Sequence, residues 1–310
     1  MQAKMIRAVL CVLVLACSQL AASADAVCPP SGYSETTLLA LKAREFNIRD
    51  DAERQAFALA LVPCLADTDP TLRDGIAFEA LSTFMRAKQL RVPTAIKLME
   101  QLLPWLEAGY ADPQGVAKPF AALVVAEVAR MDRVATFLSP AQRADLLNAG
   151  VRYLQEVRDY RGFDATIGWR HGVAHDANLL MQLTLNPQID QAGLKRVIDT
   201  VAMQIVPQAE LTSPHFYVYG EGQRLARPAF YVAQRHLLPA EAWGVWIRSI
   251  GSPAPLANWS DAYRSQAGLA KRHNTLAFLN ALYVLAQESG DAQTKAALLP
   301  LIAEALKQIS

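Results

Sequence analysis

The chain has 310 residues, of which 52% are hydrophobic, and it carries 30 Lys and Arg against 29 Asp and Glu. A chain this close to neutral, without basic blocks, argues against nucleic acid or an anionic membrane surface as the partner. The apolar content is sufficient for a large buried core. Composition therefore predicts a globular protein with one large domain or two small ones.

The N-terminus has the pattern of a secretory signal. Lys4 and Arg7 precede an apolar run from residue 8 to about residue 16, and small residues follow up to Ala24. We expect a signal peptide over residues 1–24, removed after Ala24, and a periplasmic or secreted protein. The alternative is a lipoprotein anchored at Cys17. After cleavage no apolar stretch is long enough for an integral membrane segment.

The cysteines agree with export. Cys11 and Cys17 leave with the signal, so Cys28 and Cys64 remain as a pair. Two cysteines in an oxidising compartment predict a disulfide between them, the alternative being two free thiols.

The apolar periodicity predicts helices along almost the whole remaining chain. In chain order they cover residues 35–46, 51–66, 71–87, 93–107, 117–131, 140–157, 169–184, 189–206, 223–236, 239–249, 261–270, 273–288 and 292–308. Several begin at a proline, as at Ser139-Pro140, where serine caps the helix and proline fits its first turn. Only "HFYVYG", residues 215–220, has strand-like composition, and we expect a loop or an isolated strand there.

Helices of this length joined by short turns predict an all-α fold of stacked antiparallel pairs. A solenoid of the HEAT kind and an α/α toroid both satisfy the pattern. No linker or low-complexity tract divides the chain, so we expect a single domain over residues 25–310.

Two histidines four positions apart stand out in "GWRHGVAHDANLL". On a helix beginning near Trp169, a narrow polar stripe holds His171, His175, Asn178 and Gln182. A polar stripe between apolar flanks fits the wall of a cleft, and the alternative is a hydrogen-bonded core seam.

Two histidines at this spacing also form half of a metal site. The third ligand would have to come from His273, His215 or Glu127. The glutamate that a metalloprotease helix needs after its first histidine is replaced by Gly172, so the peptidase interpretation lacks its base. We expect no cofactor, with a metal held by His171 and His175 as the alternative. For Glu127 itself, a structural pair with an arginine is favoured.

Further polar residues accompany the histidines in nearby loops and helix starts. Candidate catalytic residues are His171, His175 and His273. Candidate substrate-binding residues are Tyr160, Arg161, Trp169, Asn178, Tyr217, Tyr219, Glu221, Arg224 and Asn274.

Five stretches together carry a resemblance to a known family. They are "RDGIAFEALSTF", "FAALVVAEVAR", "VRDYRGFDATIGWRHGVAHDANLL", "YVYGEGQRLARP" and "DAYRSQAGLAKRHNT", and they span residues 73 to about 280. The sequence resembles an uncharacterised bacterial family, the domain of unknown function 2785. The resemblance implies an all-helical fold and supplies no established reaction.

Two classes of function follow from these observations. The first is an enzyme, a hydrolase or a lyase, in which histidine performs acid–base chemistry on a polar or anionic small molecule or glycan. The second is a non-catalytic solenoid that binds a protein or peptide partner along its concave face. Ionisable residues gathered in one pocket favour the enzyme, whereas a broad, shallow, mixed groove favours the binding protein.

Overall fold

A computed structural model describes residues 27–205 and 214–309 of the chain, and these ranges are predominantly helical. The predicted all-α class is confirmed. The α-helices of these ranges are α1 (Glu35–Lys42), α2 (Asp51–Ala60), α3 (Glu79–Arg86), α4 (Val92–Leu102), α5 (Ala117–Val134), α6 (Pro140–Glu156), α7 (Gly172–Thr184), α8 (Gln191–Ile205), α9 (Glu221–Gln234), α10 (Ala240–Gly251), α11 (Gln266–Glu288) and α12 (Ala292–Ile309).

Shorter elements join the helices. Turns of 3₁₀-helix cover Val62–Ala66, Leu103–Leu106 and Trp259–Arg264, and a π-helical segment, Thr71–Phe78, leads directly into α3. A small antiparallel hairpin pairs β1 (Phe163–Asp164) with β2 (Gly168–Trp169). The hairpin precedes α7 and lies beside the candidate site.

The helices form two layers. In one layer α3, α5, α7, α9 and α11 pack side by side in chain order, and in the other α6, α8 and α10 do the same. Among the described elements, α11 and α12 pack on α8, α9 and α10 and make no extensive contact with α1 to α4, so the array is open at its ends. One connected core of buried apolar side chains runs through it, from Leu38 to Ile309. The prediction of one domain over residues 25–310 extends beyond the described ranges and stays a prediction.

The helix starts follow the local signals in the sequence. The side chain of Ser139 accepts a hydrogen bond from the Gln142 backbone N–H, and Pro140 occupies the first turn of α6. Ser265 caps α11 in the same manner, through the Gly268 N–H at 3.0 Å. From this cap α11 continues as one helix to Glu288, so the predicted division into helices 261–270 and 273–288 is wrong.

The segment before α11 was expected to be α-helical, and the structure has a 3₁₀ turn there instead. A side chain at Gly268 would lie 2.5 Å from the Ala262 carbonyl oxygen, so α11 and the turn before it touch through backbone. Residues 215–220, "HFYVYG", form a loop without regular secondary structure, which is one of the two predicted alternatives.

The helix that carries His175 begins at Gly172, three residues later than predicted. His171 has a φ of 55° and Gly168 a φ of 75°, and neither value is compatible with a right-handed helix. Trp169 therefore belongs to the hairpin, and His171 is the residue that caps α7.

The predicted disulfide between Cys28 and Cys64 is confirmed, with its Cα atoms 4.9 Å apart. The half-cystines are 36 residues apart. Closing a loop of this length removes conformational entropy from the unfolded chain, and the chain-entropy model assigns this about 4 kcal/mol of stability. The bond joins the N-terminal segment to the 3₁₀ turn after α2.

The predicted signal over residues 1–24 lies outside the described residues, together with the alternative lipidation site at Cys17. Within residues 27–205 and 214–309, no helix combines the length and the apolar character needed to cross a membrane.

Candidate functional site

His171 and His175 form a stacked pair at the start of α7. Their ring centroids are 5.7 Å apart with 25° between the planes, and the His175 N–H donates to the His171 carbonyl at 2.8 Å. Both residues are partly buried. The Nε2 atom of His171 and the Nδ1 atom of His175 are buried, and neither has a hydrogen-bond partner among the described residues. Each ring therefore has a nitrogen whose hydrogen-bonding capacity the described residues leave unused.

The surroundings of the pair favour neutral rings. Burial lowers the pKa of His171 to about 4, and the positive charge of Arg224 acts in the same direction. Burial lowers the pKa of His175 to about 3, with further lowering by His171, Arg224 and Arg73, while the Pro119 carbonyl acts against the shift. At neutral pH both rings are uncharged and can accept a proton.

Aromatic side chains wall the pair on both sides. On the outer side the Trp169 ring centroid is 4.2 Å from that of His171, and Tyr219 lies 5.9 Å from Trp169. Phe163 extends this rim at 5.1 Å from Trp169. These three rings are 39–53% exposed, so they present a face to solvent. On the inner side the buried Phe120 ring meets His175 edge-on at 5.2 Å.

Arg224 supplies the positive charge of the site from α9. Its Nη1 donates to the Asn178 Oδ1 at 3.1 Å, which joins α9 to the polar stripe of α7. Gln182, the next residue of the stripe, instead accepts a hydrogen bond from Arg133 at 3.1 Å. The polar stripe therefore contacts two arginines, Arg224 and Arg133, and of these two Arg224 acts electrostatically on the histidine rings.

Arg73 holds the hairpin in place, and sequence reasoning missed its role. It is fully buried in the π-helical segment, and its Nη2 donates to the carbonyls of Ile167 at 2.7 Å and Trp169 at 3.3 Å. The same guanidinium lies 4.7 Å from the centroid of the Phe120 ring. It therefore contacts both the segment that bears Trp169 and the ring that packs on His175.

A sequence signal for Arg73 did exist. An arginine at a buried position in "TLRDGIAF" must be paired or bonded, because an isolated buried charge is costly. Asp74 pairs with it at 2.7 Å and the Asp67 carbonyl accepts from its Nη1 at 3.0 Å. In the structure Arg73 lies in a π-helical segment, and such segments occur frequently at functional sites. The hairpin carbonyls are about 94 residues away in sequence, so no local pattern could identify them.

Replacing Arg73 with methionine is expected to loosen the hairpin and change the environment of Trp169. The carbonyls of Ile167 and Trp169 lose their donor, and an unsatisfied acceptor costs about 1–3 kcal/mol where it is buried. Fluorine NMR of protein labelled with fluorotryptophan should show a shifted or broadened Trp169 resonance, identified with a Trp169→Phe variant.

Arg235 is the matched control, because it also donates to backbone carbonyls, those of Thr184, Asn186 and Ile189. Arg235→Met should lower the melting temperature and leave the Trp169 resonance in place. Equal effects of the two variants on that resonance would reject a positioning role for Arg73.

Four of the predicted residues form a second cluster that holds the loop before α9. Tyr217 is buried, and its hydroxyl donates to Gln204 Oε1 at 2.9 Å. Its N–H donates to Asn274 Oδ1 at 2.8 Å, and its carbonyl lies 3.2 Å from His273 Nε2. Glu221 is buried and accepts the Tyr219 N–H at 2.9 Å, while burial raises its pKa. In these contacts Tyr217 serves the core, and Glu221 fixes the backbone of Tyr219.

Tyr160 and Arg161 also have intramolecular partners. The Tyr160 ring stacks on His215 with the centroids 3.4 Å apart and the planes at 4°. Arg161 forms an ion pair with Asp159 at 2.5 Å. Within the described part of the chain, Tyr160 and Arg161 make no ring or hydrogen-bond contact with the histidine pair. The same is true of His273.

The alternative metal site gains no further ligand from the structure. Glu127 pairs with Arg86, whose Nε donates to its Oε2 at 3.1 Å, so the favoured structural role of Glu127 is observed. Within the described ranges no group of three or more His, Cys, Asp or Glu side chains is arranged to hold a metal ion. The expectation that the protein uses no cofactor stays a prediction.

The sequence also matches a family model. The model, described as a protein of unknown function (DUF2785), covers residues 110–284, which is more than half of the chain. The chain belongs to this family. No curated protein and no solved structure matches it.

The DUF2785 match contains the histidine pair, the hairpin, the aromatic rim and Arg224. Arg73 and the disulfide precede the matched residues. The position of the hairpin in the candidate site therefore depends on a contact with Arg73, which lies outside the matched segment.

Proposed function

We propose that the protein is an exported enzyme, a hydrolase or a lyase, in which a neutral histidine transfers protons on a polar or anionic substrate, with glycans as the substrate class. The observation that carries the proposal is the histidine pair. Two neutral rings contain buried nitrogens without partners among the described residues, within electrostatic reach of Arg224 and in contact with the exposed ring of Trp169. A structural histidine pair would use these nitrogens in hydrogen bonds.

His171 is the residue best suited to act as general base. It lies nearer the rim, in contact with Trp169 and Tyr219, whereas His175 lies deeper against Phe120. The His171 imidazole takes a proton from attacking water or from a carbon of the substrate and returns it to the leaving oxygen, so the ring is neutral again after the cycle. His175 touches the His171 ring and supports its orientation.

The other residues of the site bind the substrate in this proposal. Arg224 pairs with an anionic group, and its contact with Asn178 orients the guanidinium. Trp169 and Tyr219 stack on the apolar faces of sugar rings. The interaction of His171, His175 and Arg224 with one another supports an enzyme over a solenoid that binds a partner protein. Export is supported by the signal-like residues 1–24 and by the disulfide.

The protonation of the pair can be tested without a known substrate. In an NMR titration of the histidine ring protons, we expect midpoints near 4 for His171 and near 3 for His175, because burial disfavours their charged forms. The base form is then fully present at pH 6–8 and is lost only as the pH falls through about 4. The rate of turnover should fall over the same acidic range, because the general base becomes protonated there.

His171→Asn and His175→Asn variants assign the resonances. A midpoint for His171 near 6.5, the ordinary value for histidine, would contradict a buried neutral base. Turnover that falls between pH 7 and pH 6 would contradict it as well.

A further inference from the structure

A groove between α9 and α11 adjoins the histidine site on the far side of the 215–220 loop. It holds a cavity of about 750 Å³ lined by the polar side chains of Gln223, Arg227, His273 and Asn280. A second cavity of about 500 Å³ shares His273 and Asn280 and adds Arg272. The two cavities together form one elongated groove along the exposed face of α11, and the proposed chemistry does not use it.

The lining of this groove is positively charged. Arg227 and Arg272 line it, and neither cavity has an aspartate or glutamate among its described lining residues. Glu221 is near, but it is buried and its Oε2 accepts the Tyr219 N–H. The Nε of Arg272 is buried without a hydrogen-bond partner in the described part of the chain. An anionic ligand in the groove would pair with the charges of Arg227 and Arg272.

Positive charge extends from the histidine site to the groove. Arg224 and Arg227 are three positions apart on α9, which places their Cβ atoms about 5–6 Å apart on neighbouring positions of the helix surface. Arg224 contacts Asn178 of the histidine helix, and Arg227 lines the groove. Burial lowers the pKa of Arg224, and the positive charge of Arg227 lowers it further, so the two guanidinium groups act on each other. A chain with repeated negative charges can therefore contact both arginines.

We propose that the groove between α9 and α11 is a subsite for the acidic sugars of a uronate-containing glycan whose chain extends from the histidine pair. This inference rests on the proposed function and deepens it. Two arginines and the polar side chains of Gln223, His273 and Asn280 fit a ligand with about one carboxylate per sugar. Nucleic acid has a denser charge and is normally bound by larger basic patches. His273 in this assignment contacts the chain and does not transfer protons.

The test is binding of a fluorescently labelled oligogalacturonate to the full-length mature protein, measured by anisotropy. Measurements use a His171→Asn background, so that turnover does not consume the probe. We expect Arg227→Gln and Arg272→Gln each to raise the dissociation constant about fivefold to tenfold, because each removes a charge-assisted contact. Added NaCl should weaken binding to the parent protein. Arg248→Gln, an exposed arginine of α10 that lines neither cavity, is the matched control and should leave the dissociation constant unchanged.

The outcomes separate the subsite from the catalytic proposal. If Arg224→Gln weakens binding while Arg227→Gln and Arg272→Gln do not, the subsite is wrong and the proposed catalysis stands. If a neutral oligosaccharide, a sulfated glycan or a nucleic acid binds and the oligogalacturonate does not, the substrate class is wrong. If oligogalacturonate binding depends on Arg227 and Arg272 but the wild-type protein turns over no uronate chain, the subsite stands and the enzyme proposal fails.

Discussion

Replacing His171 with asparagine is expected to reduce turnover by about 10²- to 10⁴-fold while changing the free energy of unfolding little. A positioned general base contributes rate enhancement of this order, and the amide of asparagine cannot accept the proton. Little stability should be lost because the Nε2 atom of His171 has no hydrogen-bond partner among the described residues. Release of reducing ends from uronate oligosaccharides, together with thermal melts of the same samples, measures both quantities.

Asparagine is the appropriate substitution because His171 has a φ of 55°. Asparagine tolerates this left-handed backbone better than alanine, so the start of α7 should be preserved. His236 is the matched control: it has a φ of 52°, and it pairs with Asp291 at 2.8 Å, away from the site. His236→Asn should retain full turnover. A His171→Asn protein that unfolds readily, or that keeps wild-type turnover, would show that the ring is structural.

Replacing Asp132 with alanine is expected to lower the free energy of unfolding by about 3–5 kcal/mol, the usual cost of breaking a buried ion pair. Asp132 is 1% exposed and accepts hydrogen bonds from Arg143 at 2.7 Å and Asn186 at 2.8 Å. It also accepts the backbone N–H groups of Phe137 and Leu138. Without the carboxylate, the buried charge of Arg143 loses the ion pair with Asp132. Urea denaturation of both proteins measures the difference.

The pH dependence of this stabilisation has a defined sign. Burial raises the pKa of Asp132, but hydrogen bonds from Arg143, the 137–138 backbone and Asn186 outweigh burial, so the pKa is lowered overall. The stabilisation is therefore present above the ordinary aspartate pKa and is lost as the pH falls through the lower value of the folded protein.

The exposed ion pair between Glu107 and Arg152 is the comparison for Asp132. Glu107→Ala should change stability by at most about 1 kcal/mol, because water screens the pair. A similarly small effect of Asp132→Ala would contradict the buried-network interpretation.

Local physics explains which parts of the fold could be predicted from the sequence. Apolar periodicity and the Ser139-Pro140 start depend on residues within a few positions of one another, and α6 begins where they indicate. The confirmed disulfide followed from the inventory of cysteines and the expected compartment. Boundaries were less accurate where backbone conformation overrides periodicity, as at His171, which ends the hairpin segment and caps α7.

The histidine pair itself could also be predicted, although its helix begins later than expected. A separation of four residues keeps His171 beside His175 even when His171 only caps the helix, and the rings stack. Their protonation could not be predicted, because it depends on burial by Phe120 and Trp169 and on the charge of Arg224.

The sequence by itself determined the all-α class, the disulfide, the family and the position of the paired histidines, since each depends on local spacing or on residue identity. Only the tertiary structure decided which polar residues meet. Tyr217 and Tyr219 are two positions apart in one loop, yet Tyr217 is 4% exposed and bonds to Gln204 of α8, whereas Tyr219 is 39% exposed and lies at the rim. Arg73 donates a hydrogen bond to the hairpin at the Ile167 carbonyl, 94 residues away in sequence. Contacts between residues far apart in sequence depend on how the helices pack on one another, and this packing depends on side-chain shape and burial across the whole core.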